Sequence, residues 1–181
     1  CAGPIRTALA PALCRRVRAS VLFAGPMLAR YGRVSLPPPG GDVIGRRKLD
    51  THFDALTALG GRLEVGDVYV LTASQLQGTS MFLDEASVTA TENAIMAAVL
   101  AKGTTVIENA ACEPHVQGLC RMLIGMGAHI QGVGTNALTV EGVDRLHGTS
   151  HRIGPDYLEV GSYIGLAALI GDGVRIHDAH A

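Results

Sequence analysis

The chain alternates between stretches with apolar residues at helical spacing and short stretches in which apolar and polar residues alternate. Residues 90–101 have the helical pattern; the polar stretch "SVTATEN" at the N-terminal end can cap the helix, and Gly103 follows as a stop signal. "TTVIENA" then predicts a strand, residues 115–128 predict a second helix, and "HIQGVGTNALTVEGV" predicts two short strands around a turn. The predicted unit has the order βαβαββ.

This unit recurs along the chain. "LQGTSMFLDEASVTATENAIMAAVLAKG" begins at Leu76 and "LHGTSHRIGPDYLEVGSYIGLAALIGDG" begins at Leu146, an offset of 70 residues. A fainter third copy covers residues 18–36, where Gly32 takes the place of Gly103. Repeats of this kind predict stacked copies of one supersecondary unit, each covered by its neighbours.

The helices "NAIMAAVLA" and "YIGLAALI" are almost wholly apolar, so they are predicted to be buried on all sides. The strands alternate polar and apolar residues, so one face of each sheet is predicted to be exposed. The fold class is therefore α/β, in the mixed α+β sense, with helices packed inside and sheets facing outward.

Composition excludes several classes of protein. Fifteen Lys plus Arg against sixteen Asp plus Glu leave no basic surplus for nucleic acid, so an anionic ligand is expected to be small. The apolar run at residues 163–170 is far shorter than the roughly 20 residues that span a bilayer, so no membrane insertion is predicted. The four cysteines form no CxxC pair and have no His at zinc spacing, which predicts no metal site and reduced thiols in a reducing compartment.

Three segments of the sequence resemble a known enzyme family. "RASVLFAGPMLARYGRVSLPPPGGDVIGRRKLDTHFDALTALG", "ASVTATENAIMAAVLAKGTTVIENAACEPHV" and "MLIGMGAHIQGVGTNALTVEGV" resemble the UDP-N-acetylglucosamine 1-carboxyvinyltransferase family of enolpyruvyl transferases. The likeness runs from about Arg16 to Ala181 and implies an inside-out α/β barrel of repeated βαβαββ units with buried helices, here incomplete. It also implies that residues 1–150 form most of the catalytic-loop domain and that residues 151–181 begin a second, truncated domain. Because the family's chain is more than twice this length, and because the sequence starts without Met or a signal peptide, a central fragment is expected.

The resemblance implies a reaction and its participants. The family transfers the enolpyruvyl group of phosphoenolpyruvate to the 3-hydroxyl of UDP-N-acetylglucosamine and releases phosphate, which is the first committed step of peptidoglycan synthesis. The expected partners are these two small anionic substrates and the remainder of the chain. No cofactor is expected, and the expected location is the cytoplasm.

The same likeness implies the substrate-binding residues. Arg47 would bind the phosphate of phosphoenolpyruvate, and the residues after it would cradle the uracil ring. The residues before the buried helix would present backbone amides and a serine to the diphosphate, as a helix N-terminus can. The full implied set is Arg18, Arg47, Lys48, Leu49, Asp50, Thr51, Glu85, Ala86, Ser87 and Val88. Glu85 stands where some family members have lysine, and a carboxylate there cannot pair with a diphosphate.

Asp42 lies where the family has its loop proton donor, which is often cysteine and in some members aspartate. An ordinary Asp, with a pKa of about 3.9, is ionised at neutral pH and is a poor acid. Neighbouring arginines lower its pKa, whereas loop closure over an anionic substrate raises it. We therefore expect the pKa of Asp42 to rise only when substrate is bound. The antibiotic fosfomycin alkylates the cysteine in this family, so a chain with Asp42 is expected to be insensitive.

Two alternatives remain open at this stage. One is the sister family, 5-enolpyruvylshikimate 3-phosphate synthase, which shares the fold and the phosphoenolpyruvate chemistry. The other is a non-catalytic fragment or degenerate paralogue that only binds nucleotide. The family's lysine–asparagine pair, its general-base aspartate and a second phosphate-binding arginine are not found in these 181 residues, so the chain alone is expected to be inactive.

Overall fold

The structure, a computed structural model, describes residues 6–41, 48–170 and 173–179. Within these ranges the chain forms two copies of one unit, followed by a further helix. The first part comprises α1 (Pro11–Cys14), a 3-10 helix (Arg18–Phe23), α2 (Ala24–Tyr31), β1 (Arg33–Leu36), α3 (Asp50–Ala58), β2 (Arg62–Val65) and β3 (Tyr69–Thr72). The second part comprises β4 (Ser80–Phe82), α4 (Val88–Ala98), β5 (Thr104–Glu108), α5 (Pro114–Gly125), β6 (His129–Gln131), β7 (Ala137–Glu141) and α6 (Tyr157–Ile170).

The two sheets have the same topology. The second sheet has the order β4-β5-β7-β6, with β4 parallel to β5 and the other neighbours antiparallel. The first has the order β1-β3-β2, and a parallel bridge between Ala8 and Ser35 adds residues 7–9 where the second sheet has β4. Leu9 N donates to Ser35 O at 3.0 Å, and Ser35 N donates to Thr7 O at 2.8 Å. The predicted βαβαββ order is confirmed for the copy that begins at Leu76, and the part that contains the fainter copy at residues 18–36 has the same order; in the copy that begins at Leu146, the described residues form only α6.

Local signals set the limits of the central helix α4. Ser87 is its N-cap, and its Oγ accepts a hydrogen bond from Ala90 N at 3.4 Å, so the helix begins at Val88. It ends at Ala98, before the predicted end at residue 101, and Gly103 then turns the chain into β5 with a φ of 92°. The predicted helix is confirmed, although both of its boundaries lie two or three residues closer to the N-terminus than expected.

The core lies between the helices and the two sheets, and α4 is at its centre. Helices α2, α3 and α5 all contact α4, and most of its residues are buried. In β5 the side chains of Thr105 and Ile107 are buried, whereas Thr104 and Glu108 are exposed. One face of this sheet therefore covers the helices while the other meets solvent, as the alternation predicted.

The burial predicted for the last apolar helix is wrong. No residue of α6 is buried, although its composition is as apolar as that of α4. Burial of such a helix needs neighbouring elements on all sides, and α4 receives them from α2, α3 and α5. In the part of the chain that the structure describes, no comparable set of elements surrounds α6.

The described residues contain neither a helix suited to cross a membrane nor a cluster suited to hold a metal ion. Across the described ranges, no helix has both the length and the hydropathy that a bilayer crossing requires. Within the same ranges, no group of three or more His, Cys, Asp and Glu side chains is arranged to hold a metal ion.

A glycine allows the close approach of α2 to α4. A Cβ at Gly25 would collide with the carbonyl oxygen of Asn93, whereas a Cβ at Gly118 in α5 would meet nothing within 4 Å. Both glycines are helical, so alanine would gain up to about 1 kcal/mol in helix propensity at either position. We expect Gly118→Ala to be neutral or stabilising and Gly25→Ala to be destabilising by about 2 kcal/mol or more, through overpacking. Urea unfolding of the two variants would measure this; equal stabilities would contradict the packing.

Candidate substrate-binding site

The implied site residues come from three segments that are distant in sequence. Arg18 begins the 3-10 helix, residues 48–51 lead into α3, and residues 85–88 lead into α4. Asp42 and Arg47 lie outside the described residues. The structure therefore gives positions for Arg18 and for the two segments.

Arg18 contacts the segment before α3. Its Nη2 donates to the backbone carbonyl oxygen of Lys48 at 3.5 Å, across 30 positions of sequence. The residue as a whole is partly exposed. A guanidinium held in this way is suited to an anionic ligand, since its donors form a planar fork.

The segment at residues 48–51, which runs into the first turn of α3, is joined to the segment that leads into α4. Thr51 is buried, and its hydroxyl donates to Oδ1 of Asp84 at 2.6 Å. Leu49 is buried as well, while Lys48 and Asp50 are exposed and form a weak ion pair at 4.0 Å. The structure thus uses the Thr51 hydroxyl to join the two segments, and it leaves Lys48 accessible to a ligand.

The start of α4 has the properties of an anion-binding helix N-terminus. Glu85 and Ala86 are exposed, and Ser87 and Val88 are partly exposed. The first amides of a helix have no intrahelical acceptor, and the helix dipole adds partial positive charge there. Because Glu85 carries a negative charge, the backbone amides and Ser87 fit a diphosphate better than the Glu85 side chain does.

A buried polar pair lies behind these segments. Oδ1 of Asn93 accepts from Gly25 N at 2.9 Å, and its Nδ2 donates to Val21 O at 2.9 Å. The same Nδ2 lies 2.9 Å from Nδ1 of His52, whose Nε2 lies 3.3 Å from Oγ1 of Thr89. Sequence reasoning did not single out Asn93, although an asparagine inside an otherwise apolar helix was a visible signal.

Burial affects the protonation of His52. The ring is almost inaccessible, and loss of hydration together with the positive charge of Arg18 lowers the pKa of His52 to about 4. His52 is therefore neutral at physiological pH.

The described start of the loop between β1 and α3 lies next to Arg18. Gly40 N donates to Cys14 O at 2.9 Å, and Gly41 N donates to Arg15 O at 3.3 Å. Gly41 has a φ of 87°, and a Cβ there would lie 2.9 Å from Arg18 N. The backbone at Gly41 therefore lies against Arg18, and most side chains would be strained at this position.

A cavity of about 440 Å³ lies between this loop base and α3. Its lining includes two cations, Arg18 and Lys48, two carboxylates, Asp50 and Asp54, and apolar surface from residues such as Phe53. The rings of Phe53 and Tyr69 pack against each other with their centroids 4.8 Å apart. Volume and lining are in the range of small-molecule sites.

Known proteins share the sequence and the fold of this chain. The family described as EPSP synthase (3-phosphoshikimate 1-carboxyvinyltransferase) matches residues 1–181, which is the whole chain. The chain belongs to the EPSP synthase family. Solved members show the same fold: the enolpyruvyl transferase NikO from Streptomyces tendae superposes with a TM-score of 0.75 at 21% identity, covering 92% of this chain and 40% of that one. EPSP synthase from Acinetobacter baumannii gives a TM-score of 0.62 at 22% identity, covering 83% of this chain and 34% of that one.

Curated relatives within the family are more similar in sequence. The chain is 65% identical over 166 residues to UDP-N-acetylglucosamine 1-carboxyvinyltransferase of Treponema denticola, covering 92% of this chain and 39% of the relative. It is 55% identical over 176 residues to the protein of the same name from Borreliella burgdorferi, covering 97% and 41%. The chain thus spans about two fifths of the length of these relatives. The enolpyruvyl transferase fold expected from the sequence is confirmed, as mixed α/β without a closed barrel in the described residues.

Proposed function

We propose that this chain supplies the nucleotide-sugar site and the loop acid of an enzyme that transfers the enolpyruvyl group of phosphoenolpyruvate to the 3-hydroxyl of UDP-N-acetylglucosamine. Phosphate is released, and the product enters peptidoglycan synthesis. The reaction needs no cofactor: in the addition the methylene carbon gains a proton and the sugar oxygen, which loses its own proton, bonds to the neighbouring carbon; loss of phosphate and of one proton from the new methyl group then restores the double bond. The observation that carries the proposal is the meeting of Arg18, residues 48–51 and residues 84–88.

The contacts already described join these segments into one surface. Arg18 reaches the Lys48 carbonyl, and Thr51 reaches Asp84 just before the start of α4. A cation, an open helix N-terminus and an apolar cavity are what a uridine diphosphate sugar requires: positive groups for the diphosphate and an apolar wall for the base. In this proposal Arg47 and Lys48 complete the anion-binding side, and Asp42 protonates the methylene carbon of phosphoenolpyruvate.

The remaining parts of the proposal concern organisation and location. Residues 1–150 form most of the domain that carries the catalytic loop, and residues 151–181 begin a second domain. Further segments of the full-length protein supply the groups that this chain lacks. The described free thiols Cys14, Cys112 and Cys120 fit a reducing compartment, for which the cytoplasm is proposed.

The sister reaction is the competing assignment, because the family bears the name of the shikimate enzyme and one solved neighbour is an EPSP synthase. The relatives at 55–65% identity are named for the UDP-sugar reaction, whereas the solved neighbours are only 21–22% identical. The UDP-sugar is therefore the proposed acceptor. Phosphate release by the full-length protein that contains this chain is expected with UDP-N-acetylglucosamine and not with shikimate 3-phosphate; the reverse preference would refute the proposal.

Removal of Arg18 tests the binding site directly. We expect Arg18→Ala to weaken UDP-N-acetylglucosamine binding about 10- to 100-fold, since a hydrogen bond to a charged group contributes about 1.5–3 kcal/mol. Isothermal titration calorimetry of the full-length protein measures the dissociation constant. Arg121→Ala is the matched control, because Arg121 is exposed on α5 and bonds Gln117 on its own helix at 2.9 Å. Equal effects of the two substitutions would show that Arg18 does not bind the ligand.

A further inference from the structure

We propose that neutral His52, protonated on Nε2, is a positioning residue that fixes the segment at residues 48–51 against α4, mainly through Asn93, and so sets the affinity for the nucleotide sugar. His52 would act without touching the substrate. The inference rests on the proposed function, since it concerns the same ligand.

The protonation pattern follows from the partners of Asn93. Its Oδ1 accepts from the Gly25 amide and its Nδ2 donates to the Val21 carbonyl, so two backbone groups fix the orientation of the side-chain amide. The atom of His52 that faces Nδ2 at 2.9 Å must then be an acceptor. Nδ1 is therefore unprotonated, and the proton on Nε2 is available to Oγ1 of Thr89 at 3.3 Å.

The location of this pair gives it influence over the site. His52 directly follows the segment at residues 48–51, and Thr89 is two residues after the N-cap Ser87. Val21 belongs to the 3-10 helix that begins with Arg18. The buried His52–Asn93 pair thus connects all three candidate substrate-binding segments on their interior side. This connection adds to the bond between Thr51 and Asp84.

A direct role in binding does not fit the geometry. Both ring nitrogens have protein partners, and only 5% of the residue is exposed. Protonation would set an N–H donor against the Asn93 amide donor, and the low pKa of His52 agrees with exclusion of that state. An error of about 1 Å in the placement of binding groups can cost a hundredfold in function, so small changes in this pair are expected to be measurable.

Two complementary substitutions separate the two bonds of the ring. In His52→Asn the amide oxygen can take the place of Nδ1 and keep the acceptor opposite Asn93, while the contact with Thr89 is lost. In His52→Gln the longer side chain can reach Thr89, while the acceptor opposite Asn93 is lost. His129→Gln is the control, because His129 is exposed in β6 and pairs with Glu141 at 3.5 Å.

The test compares dissociation constants for UDP and KM values for UDP-N-acetylglucosamine and phosphoenolpyruvate in the full-length protein. For His52→Gln we expect UDP affinity to fall and the KM for the nucleotide sugar to rise, each by about tenfold or more, with kcat and the KM for phosphoenolpyruvate within about threefold. His52→Asn keeps the acceptor opposite Asn93, so it is expected to lose clearly less UDP affinity than His52→Gln, and only His129→Gln is expected to stay within about threefold of the parent in every quantity. A purely structural role would lower the unfolding midpoint of both His52 variants and leave both ligand constants unchanged, which would overturn the proposal, as would equal losses of affinity in both.

The UDP titration separates this inference from the proposed function. If the parent protein binds UDP but shows no turnover, the proposed function is refuted, and the dissociation constants still decide the role of His52. If the parent protein does not bind UDP, the proposed function and the His52 inference are both refuted. Nitrogen-15 NMR of the ring supplies a readout that needs no ligand. The expected spectrum is that of a neutral ring protonated on Nε2, and a proton on Nδ1 would overturn the proposal.

Discussion

Asn93→Ala is expected to remove much of the stability of this protein. The substitution deletes the described side-chain partner of the Gly25 amide and of Nδ1 of His52, whereas the Val21 carbonyl keeps its bond from Ala24 N. Each buried group left without a partner costs about 1–3 kcal/mol, so the two groups together predict a loss of about 2–6 kcal/mol. Because whole domains are stable by only about 5–15 kcal/mol, the variant would be close to unfolding.

Urea unfolding followed by circular dichroism would measure this loss as a lower midpoint with an unchanged slope. Asn136→Ala is the matched control, since Asn136 is exposed and the described bond at this position is made by its backbone oxygen, which accepts from Ala110 N at 2.9 Å. The control is expected to remain within about 0.5 kcal/mol of the parent. A loss below about 1 kcal/mol in Asn93→Ala would mean that water replaces the missing amide.

The order of elements was predictable because its signals are local. Ser87 caps α4, glycines end the helices, and the alternation in β5 and β7 matches their one-sided burial. The repeat added long-range information, because it predicted more than one copy of the same unit. The structure shows two sheets of the same topology, with the bridge at Ala8 in the place of β4.

Burial was predictable only where the neighbours of a helix are present. Apolar composition indicates that a helix needs cover, and it carries no information about which elements provide that cover. Helix α4 is packed by three other helices, whereas α6 has the same type of sequence and no buried residue. The prediction for α6 failed because burial depends on tertiary packing, which its own residues do not determine.

For the candidate site, the sequence predicted the individual segments but not the contacts between them. Motif resemblance implied Arg18, residues 48–51 and residues 85–88 one segment at a time. The bonds that join them, from Thr51 to Asp84 and from His52 through Asn93 to Val21, span 33 to 72 positions of sequence. Nothing in the segments alone predicts such pairings, so the bonds within the site were found only in the structure.

Asp42→Asn is expected to abolish most catalysis while leaving substrate binding intact. Asp42 lies outside the described residues, so the prediction rests on the sequence resemblance and on the loop base at Gly41, which lies against Arg18. Asparagine has a similar shape and carries no transferable proton. Loss of a positioned general acid costs about 10²- to 10⁴-fold, so kcat should fall by that factor with a small change in the dissociation constant for UDP-N-acetylglucosamine.

Two companion measurements make the Asp42 test decisive. In the parent protein the pH–rate profile should show an acid whose pKa rises when both substrates are bound, because loop closure removes water from a carboxyl group beside an anion. Asp42→Cys should retain turnover, since a thiol can also donate a proton, and it should gain sensitivity to fosfomycin, to which the parent is expected to be insensitive. An Asp42→Asn variant with full activity and an unchanged pH profile would exclude Asp42 as the acid and would require a proton donor from another part of the full-length protein.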